Sequence, residues 1–303
     1  MVPFLYALPS CLHPPLWDCI HHLQKIPPTL YHLMKKIVIL PVHGMGTTDS
    51  NFAEELRANL SKKLGSVLWQ NVVFQPIYYQ DIVQNNQNTV WNAMDSSANS
   101  IEWKRLRQFM LFSFSDAATL EHQSGSPDSA YVKAQERIRE TMLHVLTTIP
   151  GVTPTTPVIL LPHSLGAQIL CNYIWDSDGD QGIWKHKPLQ LAPDQTKFLK
   201  FKTLRHIASA GCNIPLFVAG LPTIRPIKKP HPKFTWENYF DPDDALGWPL
   251  KPLSLEYGAL VNNDIRMNSG GFFTSWTPFS HASYWKDKDF LTPVADTIKA
   301  YMK

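Results

Sequence analysis

Short apolar runs of buried-strand type recur along the chain and alternate with segments of helical period. The strand-type runs cover residues 36–42, 72–79, 158–161, 204–208 and 234–240. Their lengths and their branched and aromatic side chains favour strands over helices. Alternation of such strands with helices predicts an α/β fold, with a mostly parallel central sheet flanked by helices on both faces.

The intervening segments carry the four-residue spacing of amphipathic helices. Asn51 with Glu54 marks a helix start, and Gly65 marks its end. The apolar positions between them are Phe52, Leu56, Leu60 and Leu64. Residues 130–146 and 290–302 show the same periodicity and predict one helix before the run 158–161 and another that closes the chain.

The run 158–161 passes through Pro162 and His163 to Ser164 and then directly into a helical pattern that includes Gly166. Ser164 is therefore predicted on a sharp turn between a strand and a helix. Such a turn holds a serine hydroxyl clear of the sheet, beside the positive end of the helix, and this placement is typical of a nucleophile. Pro162 stands where the usual motif has glycine. The alternative is a serine that caps an ordinary helix.

A second motif follows the run 36–42, where the chain reads His43-Gly44-Met45-Gly46. A hydrolase that forms a tetrahedral oxyanion needs two backbone N–H donors directed at the developing charge. We expect the amides of Leu165 and Met45 to supply them, with the neighbouring glycines allowing the backbone to turn close to the substrate. A simple glycine turn is the alternative for this loop.

These two motifs, in this order, resemble the serine esterase and lipase branch of the α/β-hydrolase fold. The resemblance implies a mostly parallel sheet and a chain order of nucleophile, then acid, then histidine. It also implies that the catalytic acid follows a strand, often as aspartate followed two residues later by valine or leucine and then a small residue. Asp244, in Asp-Ala-Leu-Gly, matches best; Asp243 and Asp241 stay open, as does an aspartate-rich turn without catalytic function.

The resemblance places the catalytic histidine after the last core strand and before the closing helix. Of twelve histidines, His281 occupies that position. Its Nε2 would accept the Ser164 proton and later protonate the leaving group, while Asp244 fixes the tautomer. His43 and His163 are interpreted as structural, the first ordering its loop and the second flanking the turn.

Residues 81–129 form an excess segment with scattered aromatic side chains. In the resembled fold such insertions commonly form caps over the substrate pocket, and we predict a helical cap here. Packing of the aromatics into the core is the alternative. Phe272, Phe273 and Trp276, just before His281, raise the same question, and they are expected to line an acyl pocket or to pack beneath it.

Composition agrees with a globular enzyme. The chain has 303 residues, 44% of them hydrophobic, and a net charge of +3 without a dense basic run, which gives no case for nucleic acid. The four cysteines show no zinc-type spacing, and no phosphate-binding loop or dinucleotide motif occurs, so neither a metal nor an organic cofactor is expected. Residues 176–182 resemble part of a calcium loop but lack its glycine and glutamate, which favours a solvated loop.

The first 33 residues are apolar, but prolines interrupt them. No uninterrupted apolar run among them is long enough to span a bilayer. We expect a dispensable N-terminal extension, a hydrolase domain over residues 34–303, no transmembrane segment and a cytoplasmic location. The predicted activity is hydrolysis of a small-molecule ester with an apolar acyl group through an acyl-enzyme, and whether the substrate is a lipid or a small ester stays open. Alternatives are thioester or amide hydrolysis, acyl transfer by the same residues, or a non-catalytic binding protein of this fold.

Overall fold

The structure is a computed structural model that describes residues 36–95, 101–120, 126–268 and 283–302. The N-terminal half of the described chain contains β1 (Ile37–Val42), α1 (Glu54–Leu64), α2 (Ser66–Trp69), β2 (Val72–Phe74), α3 (Asp81–Met94), α4 (Lys104–Thr119), α5 (Ala130–Thr148) and β3 (Val158–Pro162). After it come α6 (Leu165–Gly179), α7 (Ile183–His186), α8 (Pro193–Leu199), β4 (Leu204–Ala210), α9 (Ile214–Val218), β5 (Thr235–Phe240), a 3-10 turn (Lys251–Leu253), α10 (Leu255–Leu260), β6 (Asn263–Arg266), a second 3-10 turn (Tyr284–Lys286) and α11 (Lys288–Met302).

The six described strands form one parallel sheet in the order β2-β1-β3-β4-β5-β6. β1 lies between β2 and β3, so that Ile39 stands opposite both Phe74 and Ile159. Every residue of β1 and β3 is buried, as expected for strands covered on both faces. This parallel sheet flanked by helices confirms the predicted α/β fold class.

Two helical layers cover the sheet. On one face, α5 and α6 pack against the strands through residues such as Ile138, Met142 and Leu170. On the other face, α1 and α11 pack through residues that include Leu60 and Ile298. The carboxyl ends of β1, β3, β4 and β5 consequently meet at one edge of the sheet, where ligand sites of open parallel sheets lie.

Several element boundaries differ from the predicted ones. The helix α1 begins at Glu54. Asn51 lies before it and accepts the Glu54 amide through its backbone carbonyl (3.0 Å), and no side chain caps the helix. β2 ends at Phe74, ahead of Pro76, which cannot donate to the ladder, although the amide of Ile77 still bonds to Pro41 of β1 (2.9 Å). The short strand β6 was not predicted because its residues, Asn-Asp-Ile-Arg, show no apolar run.

The predicted loop at residues 176–182 is also different, since α6 continues through Gly179. Asp176 is buried in that helix and accepts hydrogen bonds from the Tyr131 hydroxyl (2.6 Å) and the Gln135 amide (2.9 Å). Its carboxylate therefore fastens α6 to α5. No group of three or more His, Cys, Asp or Glu side chains placed to hold a metal ion occurs among the described residues, and none of the described helices is long and apolar enough to cross a bilayer.

Candidate active site

Ser164 lies in the two-residue turn, His163-Ser164, between β3 and α6, as its sequence motif predicts. Its backbone has φ 51° and ψ −125°, a conformation with positive φ that costs a residue other than glycine about 1–3 kcal/mol. The Ser164 amide donates to Ala210 at the end of β4 (2.9 Å), and the His163 amide donates to Val42 at the end of β1 (2.9 Å). Both neighbouring strands thus hold the turn, and backbone strain of this kind is concentrated at functional sites.

The turn packs directly against the loop after β1. A Cβ atom added to Gly166 would lie 2.5 Å from the His43 carbonyl oxygen and 2.8 Å from that of Val42. A Cβ atom added to Gly44 would lie 2.6 Å from the Cβ of Ser164 and 3.2 Å from its Oγ. Glycine at both positions is what lets the backbone of residues 43–46, the His-Gly loop, touch the serine turn.

We expect Gly166→Ala to destabilise the protein by about 1–3 kcal/mol, because the added methyl group meets two backbone carbonyls that have no room to move. Gly179→Ala, at the other end of the same helix, is the matched control, since its added Cβ would meet only Gln181 at 3.6 Å. Urea unfolding of both variants measures the difference. Equal unfolding midpoints for Gly166→Ala and wild type would show that the contact is not tight.

Met45 and Leu165, the predicted oxyanion donors, lie on the two sides of this contact. Within the described residues, neither backbone N–H donates to a protein acceptor. Leu165 is the first residue of α6, so its amide belongs to the positive end of a fifteen-residue helix.

The buried side chains of His43 and Tyr79 fix the His-Gly loop through hydrogen bonds. The Tyr79 amide donates to His43 Nε2 (3.1 Å), which leaves the proton on Nδ1, and Nδ1 donates to the Gly44 carbonyl (2.8 Å). The Tyr79 hydroxyl lies 2.9 Å from the His43 carbonyl oxygen and 3.0 Å from that of Gly44. Burial lowers the pKa of His43 to about 4, so the ring is neutral and orders its loop, as expected from the sequence.

A buried carboxylate from the insertion reaches the same loop. Asp116 of α4 accepts the Gly46 amide (2.8 Å) on one oxygen, and the Gln87 side chain of α3 (2.5 Å) on the other. Burial raises the pKa of Asp116 to about 6, while these hydrogen bonds act in the opposite direction. The carboxylate is thus ionised at neutral pH in spite of its burial.

Asp244 lies after β5, at the same edge of the sheet as Ser164. Its side chain is buried and accepts the Leu246 amide (2.9 Å) and the Tyr284 hydroxyl (2.8 Å). Asp241 is also buried and accepts the Asp243 amide (3.0 Å), whereas Asp243 itself is exposed. The structure therefore supplies two buried carboxylates in this turn, and exposure disfavours Asp243.

His281, Phe272, Phe273 and Trp276 lie outside the described residues. The chain is described again from Ser283, and Tyr284 then contacts the Asp244 turn twice: its hydroxyl donates to Asp244 and accepts the Asp241 amide (2.9 Å). Burial and the nearby carboxylates raise the pKa of Tyr284, which keeps it a hydrogen-bond donor. Tyr284 thus fastens the described segment that begins at residue 283 to the turn holding Asp241 and Asp244.

A pocket of about 240 Å³ adjoins the serine turn. Ser164 itself has no exposed surface, but His163 and Gly44 on either side of it contribute to the pocket wall. The other lining residues are Met45, Thr47, Thr48, Phe52, Phe109, Leu246, Trp285 and His43. Phe109 comes from α4, so the insertion forms part of a largely apolar pocket beside the candidate nucleophile.

The structure adds residues that the sequence did not indicate. Asn213, just after β4, places its side-chain Nδ2 3.5 Å from the Ser164 hydroxyl, while its Oδ1 has no partner among the described residues. Its position at the carboxyl end of the strand next to β3 was the available signal. Tyr79, Asp116 and Tyr284 gave no such signal, because each reaches the site by packing of segments that are distant in the chain.

Comparison with family models and with curated proteins finds no match. Among solved structures, the chain is similar to an acetyl xylan esterase, with 12% identity over 89% of this chain and 99% of that chain and a TM-score of 0.40. It is also similar to a cutinase-like protein from Cryptococcus sp. (12% identity, 88% and 95% covered, TM-score 0.39) and a dienelactone hydrolase from Anabaena variabilis (12%, 88% and 85%, TM-score 0.36).

Proposed function

We propose that this chain is a serine hydrolase that cleaves carboxylic esters through an acyl-enzyme. The observation that carries the proposal is the strained, non-glycine turn at Ser164, packed against a glycine loop and lying at the same sheet edge as a buried aspartate. A serine that only capped α6 would not need this strain, and its side chain accepts no capping hydrogen bond among the described residues.

His281 is the proposed general base. The support for this choice is its place in the chain: Tyr284, three residues later, donates its hydroxyl hydrogen bond to Asp244. Asp244 would hold the imidazole in one tautomer and stabilise its protonated form, in the role that a buried aspartate has in such triads.

The reaction would proceed in two steps. Ser164 Oγ attacks the ester carbonyl and gives its proton to His281, and the tetrahedral oxyanion accepts hydrogen bonds from the Met45 and Leu165 amides. The C–O bond to the alcohol breaks as His281 protonates the leaving oxygen. Water then attacks the acyl-serine by the same route and releases the carboxylic acid and free Ser164.

The substrate is proposed to be a small ester with an apolar acyl group. Met45, Phe52, Phe109 and Leu246 give the adjoining pocket a largely apolar wall, and its volume of about 240 Å³ suits a short acyl chain. Because Phe109 belongs to the segment 81–129, this contact also supports the proposal that the insertion acts as a cap.

Mixing the protein with a series of p-nitrophenyl esters tests the activity. We expect a rapid burst of p-nitrophenol equal to the enzyme concentration, followed by slower turnover, because acylation precedes hydrolysis of the acyl-enzyme. Rates should be highest for short acyl chains. Absence of both burst and turnover with every ester would overturn the proposal in favour of a binding protein of the same fold.

A further inference from the structure

We infer that Tyr79 and Asp116 are positioning residues that clamp the two peptide units on either side of Met45, and so fix the proposed oxyanion donor. This inference rests on the proposed function. Neither residue reaches the reacting atoms; each acts through the backbone of the His-Gly loop.

The first clamp acts on the peptide between Gly44 and Met45. Its carbonyl oxygen lies 2.8 Å from His43 Nδ1 and 3.0 Å from the Tyr79 hydroxyl, whose single proton it shares with the His43 carbonyl at 2.9 Å. In a trans peptide the C=O and N–H groups point in opposite directions. Holding the carbonyl toward Tyr79 therefore turns the Met45 N–H to the other side, away from the core.

The second clamp acts on the next peptide, between Met45 and Gly46. The Gly46 N–H donates to the Asp116 carboxylate at 2.8 Å. Asp116 is itself held by Gln87 at 2.5 Å and is completely buried. With both flanking peptides fixed, the backbone dihedrals of Met45 have no freedom to rotate its amide, which is the preorganisation that an oxyanion donor needs.

The ionised carboxylate of Asp116 lowers the stability of the folded protein, because it is buried. Burial is the largest influence on its pKa and raises it to about 6, so that the ionised form is less stable there than in water. Its two oxygens face N–H donors, the Gly46 amide and the Gln87 side chain, so the charge stands where the loop needs an acceptor. A buried charge kept at such a position, bonded to the loop beside the nucleophile, is typical of a functional site.

The test compares Tyr79→Phe, Asp116→Asn and Asp116→Ala with wild type. We expect kcat for a p-nitrophenyl ester to fall by about ten- to a hundredfold in Tyr79→Phe and Asp116→Ala, since small misplacements of catalytic groups have effects of this size. KM should change little. Asp116→Asn should retain more activity than Asp116→Ala, because its side-chain oxygen can still accept the Gly46 amide.

Two matched variants control for the loss of any buried polar group. Tyr173→Phe removes a buried hydroxyl that donates to the Leu199 carbonyl (2.9 Å), and Asp176→Asn changes the buried carboxylate between α5 and α6. Both lie in the core away from the His-Gly loop. They should leave kcat within about twofold of wild type, well inside the effect expected of the clamp variants.

A second readout separates positioning from folding. A trifluoromethyl ketone forms a tetrahedral adduct with an active serine, so its affinity should fall in each clamp variant by the same factor as kcat/KM. Urea midpoints of the clamp variants at pH 8, compared with those of Tyr173→Phe and Asp176→Asn, measure any loss of folding stability. If Ser164→Ala abolishes activity and the clamp variants keep the kcat and ketone affinity of the controls, the inference is overturned. If Ser164→Ala stays active, the proposed function is overturned instead.

Discussion

Ser164→Ala is expected to lower kcat for ester hydrolysis on the order of a millionfold, because the change removes the hydroxyl that is proposed to form the acyl-enzyme. The change deletes one oxygen from a residue with no exposed surface, so the protein should remain folded. Progress curves with a short p-nitrophenyl ester, at enzyme concentrations high enough to see residual turnover, provide the measurement.

Ser113→Ala is the matched control for this variant. Ser113 is also a buried serine near the His-Gly loop, and its hydroxyl has no hydrogen-bond partner among the described residues. It should keep activity near that of wild type. Hydrolysis by Ser164→Ala at a rate close to that of the Ser113→Ala variant would assign the chemistry to a different residue.

His281→Ala is expected to have the second large effect, again on the order of a millionfold in kcat. Without a base, the Ser164 hydroxyl stays protonated and is a poor nucleophile at neutral pH. The proposed pairing of the two residues predicts that the double variant Ser164→Ala/His281→Ala is no slower than either single variant. Stopped-flow and steady-state assays of all three at pH 8 measure this.

His144→Ala serves as the control for loss of a histidine, since that side chain is exposed on α5 and bonds only locally to Thr148. Its activity should match that of wild type. If His281→Ala also matched wild type, or if the double variant were slower by the product of the two single effects, Ser164 and His281 would not form a single catalytic unit.

Much of the fold was predictable because buried parallel strands leave a strong local signal. The runs that became β1 and β3 are apolar throughout, and the glycines beside the serine turn mark where two backbones touch. The positions of Ser164 and Asp244 at one sheet edge follow from those strands, since the carboxyl ends of parallel strands meet there.

What the sequence did not predict depends on contacts between distant segments. Asp116 lies in an amphipathic helix of the insertion, and only tertiary packing brings it to Gly46, seventy residues earlier in the chain. The hydroxyl of Tyr79 reaches Gly44 across the β1–β2 pair in the same way. Neither contact leaves a periodic pattern, and β6, a polar strand at the sheet edge, leaves none either.

The central claim is that Ser164 is a nucleophile activated by His281, and labelling with a fluorophosphonate tests it most directly. Peptide mass spectrometry of the labelled protein should place the adduct on Ser164 in wild type and in His144→Ala, and find none in Ser164→Ala or His281→Ala. An adduct on another residue, or labelling of Ser164 that persists at the wild-type rate in His281→Ala, would contradict the claim.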